Sequence, residues 1–321
     1  MFDQAHLRAL AAVLNEGSFD AAAARMNITP SAVSQRIRAL EEVAGGTLLI
    51  RSQPVEATAA GQILYQHAET IALLEQDLSQ HFRPDTGTDR PQRARIAVNA
   101  DSLDTWFIPA MARAQEDSDL LFDVTSVDQD HTLSRLRAGK VQAAITAENQ
   151  PVAGCDVTHL GALRYVATCS PEFAQHWFPD GVTAESLQNA PALVFDRQDR
   201  LQNLWVQREC GRPLVLRRQH MLPSTKGFVS AAEAGLGWGM NPENLVRDKI
   251  KDGSLVALGS RPEYDTPLYW QVSRIVAGPL RPLTRAVVKL AHESLVQNQN
   301  TGKLENGYSP FSEFTNKKTA P

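Results

Sequence analysis

The spacing of apolar positions changes twice along the chain. Up to about residue 58 it describes short, closely packed helices. Ser18 opens an Ala-rich helix that runs to Asn27, Ile28-Thr29 make a turn, and Pro30 suits the first position of the next helix, where a missing N–H costs nothing. On that second helix Val33, Ile37 and Leu40 share a face and are assigned to a core. Ser31, Ser34, Gln35 and Arg38 gather on the opposite face. Residues 59–82 read as one long helix, with apolar or small residues at Ala60, Leu64, Ile71, Leu74 and Leu78, and His67 filling the gap in a 4-3-4-3-4 spacing. That spacing suits a coiled-coil-like dimer seam, or alternatively an amphipathic helix packed on its own domain. The turn-rich run Arg83 to Pro91 reads as a linker, so residues 59–89 form a helix and hinge.

From Arg93 strands and helices alternate. Arg95–Asn99, Leu121–Val127 and Ala143–Thr146 read as strands, with helices at Ser102–Gln115 and Thr132–Ala138 between them. The alternation continues through Tyr165–Cys169, Ala192–Phe195, a helix at Phe228–Ala234, Pro267–Val272 and a last helix from Leu283 to about Val296. Such spacing predicts βαβ units on parallel sheets. Residues 90–297 are too many for one small sheet and suit two lobes, one at about 93–161 with 266–297 and the other at about 162–265. The tail 298–321 lacks apolar periodicity and is expected to be disordered.

Composition narrows the class. The 321 residues allow two or three domains, and 43% apolar with 21% charged residues is ordinary for a globular protein. Three cysteines without CxxC spacing argue against a disulfide framework or zinc module, and a reducing cytoplasm follows as the expected location. No run approaches the ~18 apolar residues of a membrane span. The histidines show no H-E-x-x-H, no G-x-S-x-G occurs, and Gly235-Leu-Gly237-Trp-Gly239 follows a helix, so it reads as a cap and turn instead of a dinucleotide fingerprint. Neither an enzyme nor a bound cofactor or metal is expected. A peroxide-sensing pair among Cys155, Cys169 and Cys210 is weighed against ordinary buried thiols.

Two helices joined by a tight turn, the second displaying short polar groups and Arg, fit a DNA-reading helix-turn-helix, although a plain helical hairpin has the same spacing. Gly45-Gly46, Thr47–Arg51 and Gln53–Thr58 then read as strand, tip and return strand, a wing that sets Arg51 against phosphates. Charge opposes this reading: residues 1–90 hold seven basic and eleven acidic groups, and the first lysine is Lys140. Non-specific, salt-driven DNA affinity should therefore be poor, and tight binding needs an oligomer on a specific site.

The pattern Ala22-Ala23-x-x-x-Met26-x-Ile28-x-Pro30-Ser31-Ala32-Val33-Ser34-Gln35-Arg36-Ile37-x-x-Leu40-Glu41, with Leu48-Leu49-x-Arg51 and Thr58-x-x-Gly61, resembles the LysR-type transcriptional regulators from about Leu7 to Val296. Leu49 stands where that family usually has Phe. Arg51-x-Gln53-Pro54-x-x-Ala57-Thr58 and Asn99–Phe107 are similar to the subgroup that controls export of lysine and arginine. The resemblance implies an N-terminal all-α winged helix-turn-helix (1–58), a dimerising helix, and an α/β, two-lobed effector domain like periplasmic binding proteins. It further implies a homodimer or homotetramer on a double-stranded DNA operator, activating RNA polymerase at an exporter gene when L-lysine or L-arginine binds. Thr29, Pro30, Ser31, Ser34, Gln35, Arg38, Arg51, Gln53 and Pro54 are the candidate DNA contacts. A regulator of a neutral or aromatic metabolite, and a small-molecule binding protein without DNA function, are the alternatives.

In a two-lobed α/β domain the ligand lies at the carboxyl ends of strands, between the lobes. Asp101 and Ser102 follow the first strand, Asp128 and Asp130 the second, and Thr146 and Glu148 the third. The Ser102 hydroxyl suits an α-carboxylate, Asp101 or Asp104 an α-ammonium, and the other carboxylates a cationic side chain. Pro223-Ser224-Thr225 is the expected contribution of the second lobe, with Pro223 and Ser224 as the candidate contacts. Asp101 and Asp104 have a competing reading as helix caps, and Trp106 one as a core residue.

Overall fold

Local capping sets the head of the molecule. In the computed structural model, which describes residues 1–82, 92–126 and 129–297, helices α1 (Gln4–Glu16), α2 (Phe19–Met26) and α3 (Pro30–Ala44) come first. Ser18 accepts the Ala21 N–H at 3.1 Å and Thr29 the Ala32 N–H at 3.2 Å, each satisfying a donor that the helix itself cannot. Asn27 adopts φ 52° in the tight turn between α2 and α3, a conformation its short polar side chain tolerates. Strands β1 (Leu49–Ile50) and β2 (Glu56–Ala57) pair antiparallel, a ladder much shorter than the strands expected over 47–58.

Helix α4 (Ala59–Phe82) starts where Thr58 donates its hydroxyl to the Thr47 carbonyl and accepts the Gly61 N–H. Gly61 is required there by close approach: a Cβ would lie 1.9 Å from the Leu48 carbonyl oxygen. The apolar faces close around Leu7, Leu10, Val13, Val33, Ile37, Leu40, Leu48 and Leu64. Leu64 packs in this core and Ile71 against it, whereas His67 is exposed, so the first half of the expected seam serves the chain's own head. Leu74 and Leu78 are 38% and 60% exposed and remain free for a second chain.

The effector domain comprises β3 (Gln92–Val98), α5 (Ala100–Ser102), a π-helical turn (Leu103–Phe107), α6 (Ile108–Glu116), β4 (Leu120–Ser126), α7 (Gln129–Arg137) and β5 (Ala143–Thr146). Then follow β6 (Cys155–Cys169), α8 (Pro171–Trp177), α9 (Ala184–Asn189), β7 (Ala192–Val194), α10 (Leu201–Cys210), β8 (Gln219–Met221) and α11 (Thr225–Glu233). The chain ends with β9 (Gly239–Pro242), α12 (Glu243–Lys251), β10 (Val256–Ala257), β11 (Glu263–Ser273) and α13 (Arg281–Ser294). β3 pairs parallel with β4 and β5, as βαβ spacing predicts. Beyond β5 the expectation holds for β7 and β8, which flank α10 and pair parallel, and fails in the main sheet. There β6 and β11 run antiparallel through one seven-stranded sheet of order β10-β6-β11-β5-β3-β4, with β9 also on β6. β6 was legible only over its last five residues, because Asp156–His159 show no apolar run to mark the strand. Gly161 adopts φ 117° beside a β-bulge at Leu268–Tyr269, where a Cβ would meet the Val296 carbonyl oxygen at 2.9 Å. The tail 298–321 and the linker 83–91 lie outside the described residues.

The helix and the effector domain meet across a buried cation. Arg95 of β3 lies over the Tyr65 ring at 5.9 Å, and its Nε and Nη1 have no hydrogen-bond partner among the described residues. Burial pulls its pKa down and pushes those of Tyr65 (to about 12) and Glu69 up. The Tyr65 hydroxyl donates to Asn15 at 2.7 Å, so one cluster joins the head, α4 and the effector domain.

Candidate functional site

The head presents its polar residues on α3 and the wing. Thr29, Pro30, Ser31, Gln35, Arg38, Arg51, Gln53 and Pro54 are exposed and Ser34 is half-buried, while Val33, Ile37 and Leu40 of the same helix are buried. Thr29 and Ser31 hydroxyls bond each other at 2.9 Å at the start of α3, which fixes the helix end that would approach base edges. The wing is tied back to the head: Ser52 donates its hydroxyl to the Pro54 carbonyl at 2.7 Å, and the Val55 N–H donates to Gly17. Glu41 accepts the Leu48 N–H at 2.9 Å, which anchors the start of β1 to α3. Gln and Arg at this position carry the donors and acceptors that pair with adenine and guanine edges in a major groove.

A cavity of about 140 Å³ lies where β3, β6, α10, α11 and β11 converge. That is room for on the order of ten waters or one amino-acid-sized ligand. Asn99 and Asp101 enter it from the β3–α5 junction, Asp199 and Arg200 from the loop before α10, Thr225 from α11, and Asp265 from β11. Asp101 is not a helix cap. Its carboxylate accepts the Tyr165 hydroxyl at 2.6 Å and the Thr225 hydroxyl at 2.7 Å. Burial raises its pKa against the lowering effect of those two bonds, and the neighbouring Asp199 and Asp104 raise it further. Asp199 accepts the N–H groups of Phe195 and Leu201, both at 2.9 Å. Burial raises its pKa too. Asp265 is held by Arg164 in a two-pronged bond, Nε and Nη2 each at 2.8 Å from a carboxylate oxygen. Asn99 is 3% exposed, and neither atom of its amide has a hydrogen-bond partner among the described residues.

Of the sequence-expected effector residues, Asp101 lines this cavity. Ser102 does not; it is fully buried, with its hydroxyl unpartnered among the described residues. Thr146 is buried and accepts the Glu148 N–H at 3.1 Å, and Ala147 between them lines the wall in their place. Pro223 and Ser224 are exposed; Ser224 caps α11 by accepting the Gly227 N–H, and the next residue, Thr225, reaches the cavity. Ser224 thus faces outward while its neighbour Thr225 faces the cavity, whereas Thr146 is buried without lining it. Asp128 lies outside the described residues, as does the side chain of Asp130 on α7. Asp199 and Asp265 were missed. Asp199 belongs to the acidic loop Asp196–Asp199 after Ala192–Phe195, so the strand-end rule applied to the second lobe would have found it.

Other expectations resolve simply. Trp106 is buried with its ring edge-on to Phe107 at 5.9 Å, a core residue. The Gly235–Gly239 run is the end of α11, with the Leu236 N–H donating to Ala231, followed by β9. All three thiols are free, and burial pushes each pKa up. Among the described residues no helix is long and apolar enough to cross a membrane, and no group of three His, Cys, Asp or Glu could hold a metal.

Residues 4–62 match the family described as bacterial regulatory helix-turn-helix protein, lysR family, and residues 88–295 match the LysR substrate binding domain. The chain is 43% identical over 285 residues to the HTH-type transcriptional regulator LysG of Mycobacterium tuberculosis (strain ATCC 25618 / H37Rv), covering 89% of this chain and 92% of that protein. The crystal structure of ArgP from Mycobacterium tuberculosis superposes with a TM-score of 0.74 at 41% identity, covering 93% of this chain and all (100%) of that one. Full-length LysG from Corynebacterium glutamicum with bound effector Arg superposes with a TM-score of 0.63 at 36% identity, covering 92% and 100%.

Proposed function

The chain belongs to the LysR family of transcriptional regulators, and on that premise we propose that it activates a gene for export of basic amino acids when L-lysine or L-arginine fills the cavity between its lobes. The observation that carries the effector class is the charge of the cavity wall: Asp101, Asp199 and Asp265 line it beside one cationic side chain, Arg200. Asp265 is already paired with Arg164, but a neutral or aromatic ligand would leave Asp101 and Asp199 desolvated with neutral hydrogen-bond donors alone, a cost of several kcal/mol per ion. A cationic amino acid supplies the counter-charge. The effector bound to the Corynebacterium glutamicum LysG relative, arginine, belongs to the same chemical class.

The mechanism is a difference in affinity between two assemblies. The effector shifts the equilibrium between the two assemblies only insofar as it binds one of them better. The cluster of Arg95, Tyr65 and Asn15 provides a rigid path from β3 to the head. Two or four copies joined through the exposed end of α4 would then place their α3 helices on an operator, in the cytoplasm, with RNA polymerase as the partner of the activated complex. Isothermal titration of the full-length protein with L-lysine, L-arginine, L-histidine and L-leucine tests the effector class. Saturable binding of the cations without leucine is expected, and binding of leucine alone overturns the reading.

A further inference from the structure

Helix α4 has two partners within the chain and is fastened to them unequally. Its first half belongs to the head: Leu64 and Ala68 lie in the head core, and Tyr65 donates its hydroxyl to Asn15 at 2.7 Å. Further along, Glu75 pairs with Arg8 of α1 at 2.7 Å. Among the described residues of α4, Leu73 is the one buried in the effector-domain core, with Ala94, Ile96 and Val276. The other contacts on that side are polar. A Cβ on Gly278 would come within 3.0 Å of the Asp77 carboxylate, and Arg95 of β3 sets its guanidinium over the Tyr65 ring. Arg95 is 6% exposed, yet the guanidinium's hydrogen bond among the described residues is a single one, from Nη2 to the Gln66 carbonyl at 3.5 Å, the outer limit of such a bond. Glu69 and Asp123 are the carboxylates whose charge favours this cation, and Glu69 itself accepts from Asn15 at 3.5 Å. A cation–π contact and one long bond return less than the hydration that a buried guanidinium gives up. Separating α4 from β3 would return Arg95 to water, which offsets part of what the burial of Leu73 contributes. Separating α4 from the head would break the Tyr65–Asn15 bond and expose Leu64 and Ala68 without releasing a buried cation.

We propose that the contact of Arg95 with α4 is a releasable joint: Arg95 is a positioning residue that keeps the effector domain from fixing permanently on α4, so that the head and α4 move as one unit against the effector domain. The path from β3 to the head is rigid while Arg95 is seated and is interrupted when it leaves. A change in the effector domain then reaches the head by shifting the balance between the seated and released forms. A buried charge suits this role because it lowers the stability of one contact without loosening the cores on either side of it. The joint does not depend on which ligand the effector domain binds.

Hydrogen-exchange mass spectrometry of the full chain tests the joint without any ligand, because the second half of α4 is the part that seating protects. Arg95→Met removes the desolvated charge and keeps a side chain of similar reach, so α4 should hold the effector domain more firmly. Amides of residues 71–82 should then exchange at least about fivefold more slowly, while residues 4–58 keep their wild-type rates. Arg95→Lys, which retains the charge, should exchange as wild type does in both segments. Exchange at 71–82 that is unchanged or faster in Arg95→Met, slowed equally in Arg95→Lys, or slowed equally over 4–58 overturns the joint. Fluorescence anisotropy with operator DNA, with and without saturating L-lysine or L-arginine, reads the consequence. Arg95→Met should bind the operator yet lose most of the affinity difference that the effector produces in wild type, and Arg95→Lys should keep it. A full effector response in Arg95→Met overturns the role of the joint in coupling. Where wild type itself shows no response to either amino acid, the basic-amino-acid reading fails and the exchange result decides the joint by itself.

Discussion

Replacing Gly61 by Ala removes a glycine from a helix, a change that ordinarily stabilises by about 1 kcal/mol. Here the opposite is expected. The added Cβ would lie 1.9 Å from the Leu48 carbonyl oxygen, a backbone atom that cannot swing aside as a flexible side chain can. The same oxygen accepts the Thr58 N–H at 2.9 Å, so moving it away strains the bond that joins the wing to the start of α4. Overpacking costs roughly 1–3 kcal/mol and the lost hydrogen bond about 1. Set against the helix gain, a net loss of about 1–3 kcal/mol remains. Hydrogen-exchange mass spectrometry of the intact chain reads this locally: peptides within residues 4–62 should exchange about five- to 150-fold faster. Gly46→Ala is the control, since nothing lies within 4 Å of its Cβ position. Gly46→Ala should be neutral or stabilise slightly. If Gly61→Ala exchanged as slowly as that control, the packing argument for the Thr58-x-x-Gly61 motif would be wrong.

Gln35→Ala with Arg38→Ala should reduce specific operator affinity by roughly 2–6 kcal/mol per half-site and spare the weak non-specific component, as measured by anisotropy at two salt concentrations; unchanged specific affinity removes α3 as the reading helix. Burial raises the Asp101 and Asp199 pKa values in the folded protein, so these groups favour folding most at low pH and that contribution is lost as pH rises through their unfolded values toward the folded ones. A cationic effector favours their ionised forms, so lysine binding should release protons within that window and tighten as pH rises. Titration calorimetry in buffers of different ionisation enthalpy would show it, and proton uptake would contradict it. Arg95→Met should leave stability unchanged or raise it by about 1 kcal/mol or more, because the guanidinium is buried with two nitrogens that have no hydrogen-bond partner among the described residues; a loss of 3 kcal/mol or more in urea unfolding would show that its cation is well compensated. Native Ellman titration should find at most Cys210 reactive, since Cys155 and Cys169 are buried, and rapid modification of all three would reopen redox sensing.

Capping and periodicity made the head legible. Ser18, Thr29 and Pro30 act on backbone groups within three residues of themselves, so their meaning does not depend on the rest of the fold. The buried face of Val33, Ile37 and Leu40 follows from helical spacing alone. The same holds for Ala143–Thr146, a fully buried strand found at its expected bounds. The long strand β6 was not legible, because its antiparallel partner β11 lies about a hundred residues away and its first half carries no apolar alternation.

The effector cavity depended on tertiary structure almost entirely. Strand-end reasoning located Asp101 and, within Pro223-Ser224-Thr225, the cavity-lining Thr225, yet it chose Thr146 and Glu148 where the backbone presents Ala147 instead. A shift of one residue decides whether a side chain faces a cavity or solvent, and sequence pattern does not resolve that shift at the end of an element. The sequence by itself determined the DNA-reading head, the α/β effector domain and the family, since these rest on local hydrogen bonds and on spacing. Only the tertiary structure decided that Asn99, Asp101, Asp199 and Thr225 share one cavity, because their chemistry arises from burial and mutual charge among groups far apart in the chain.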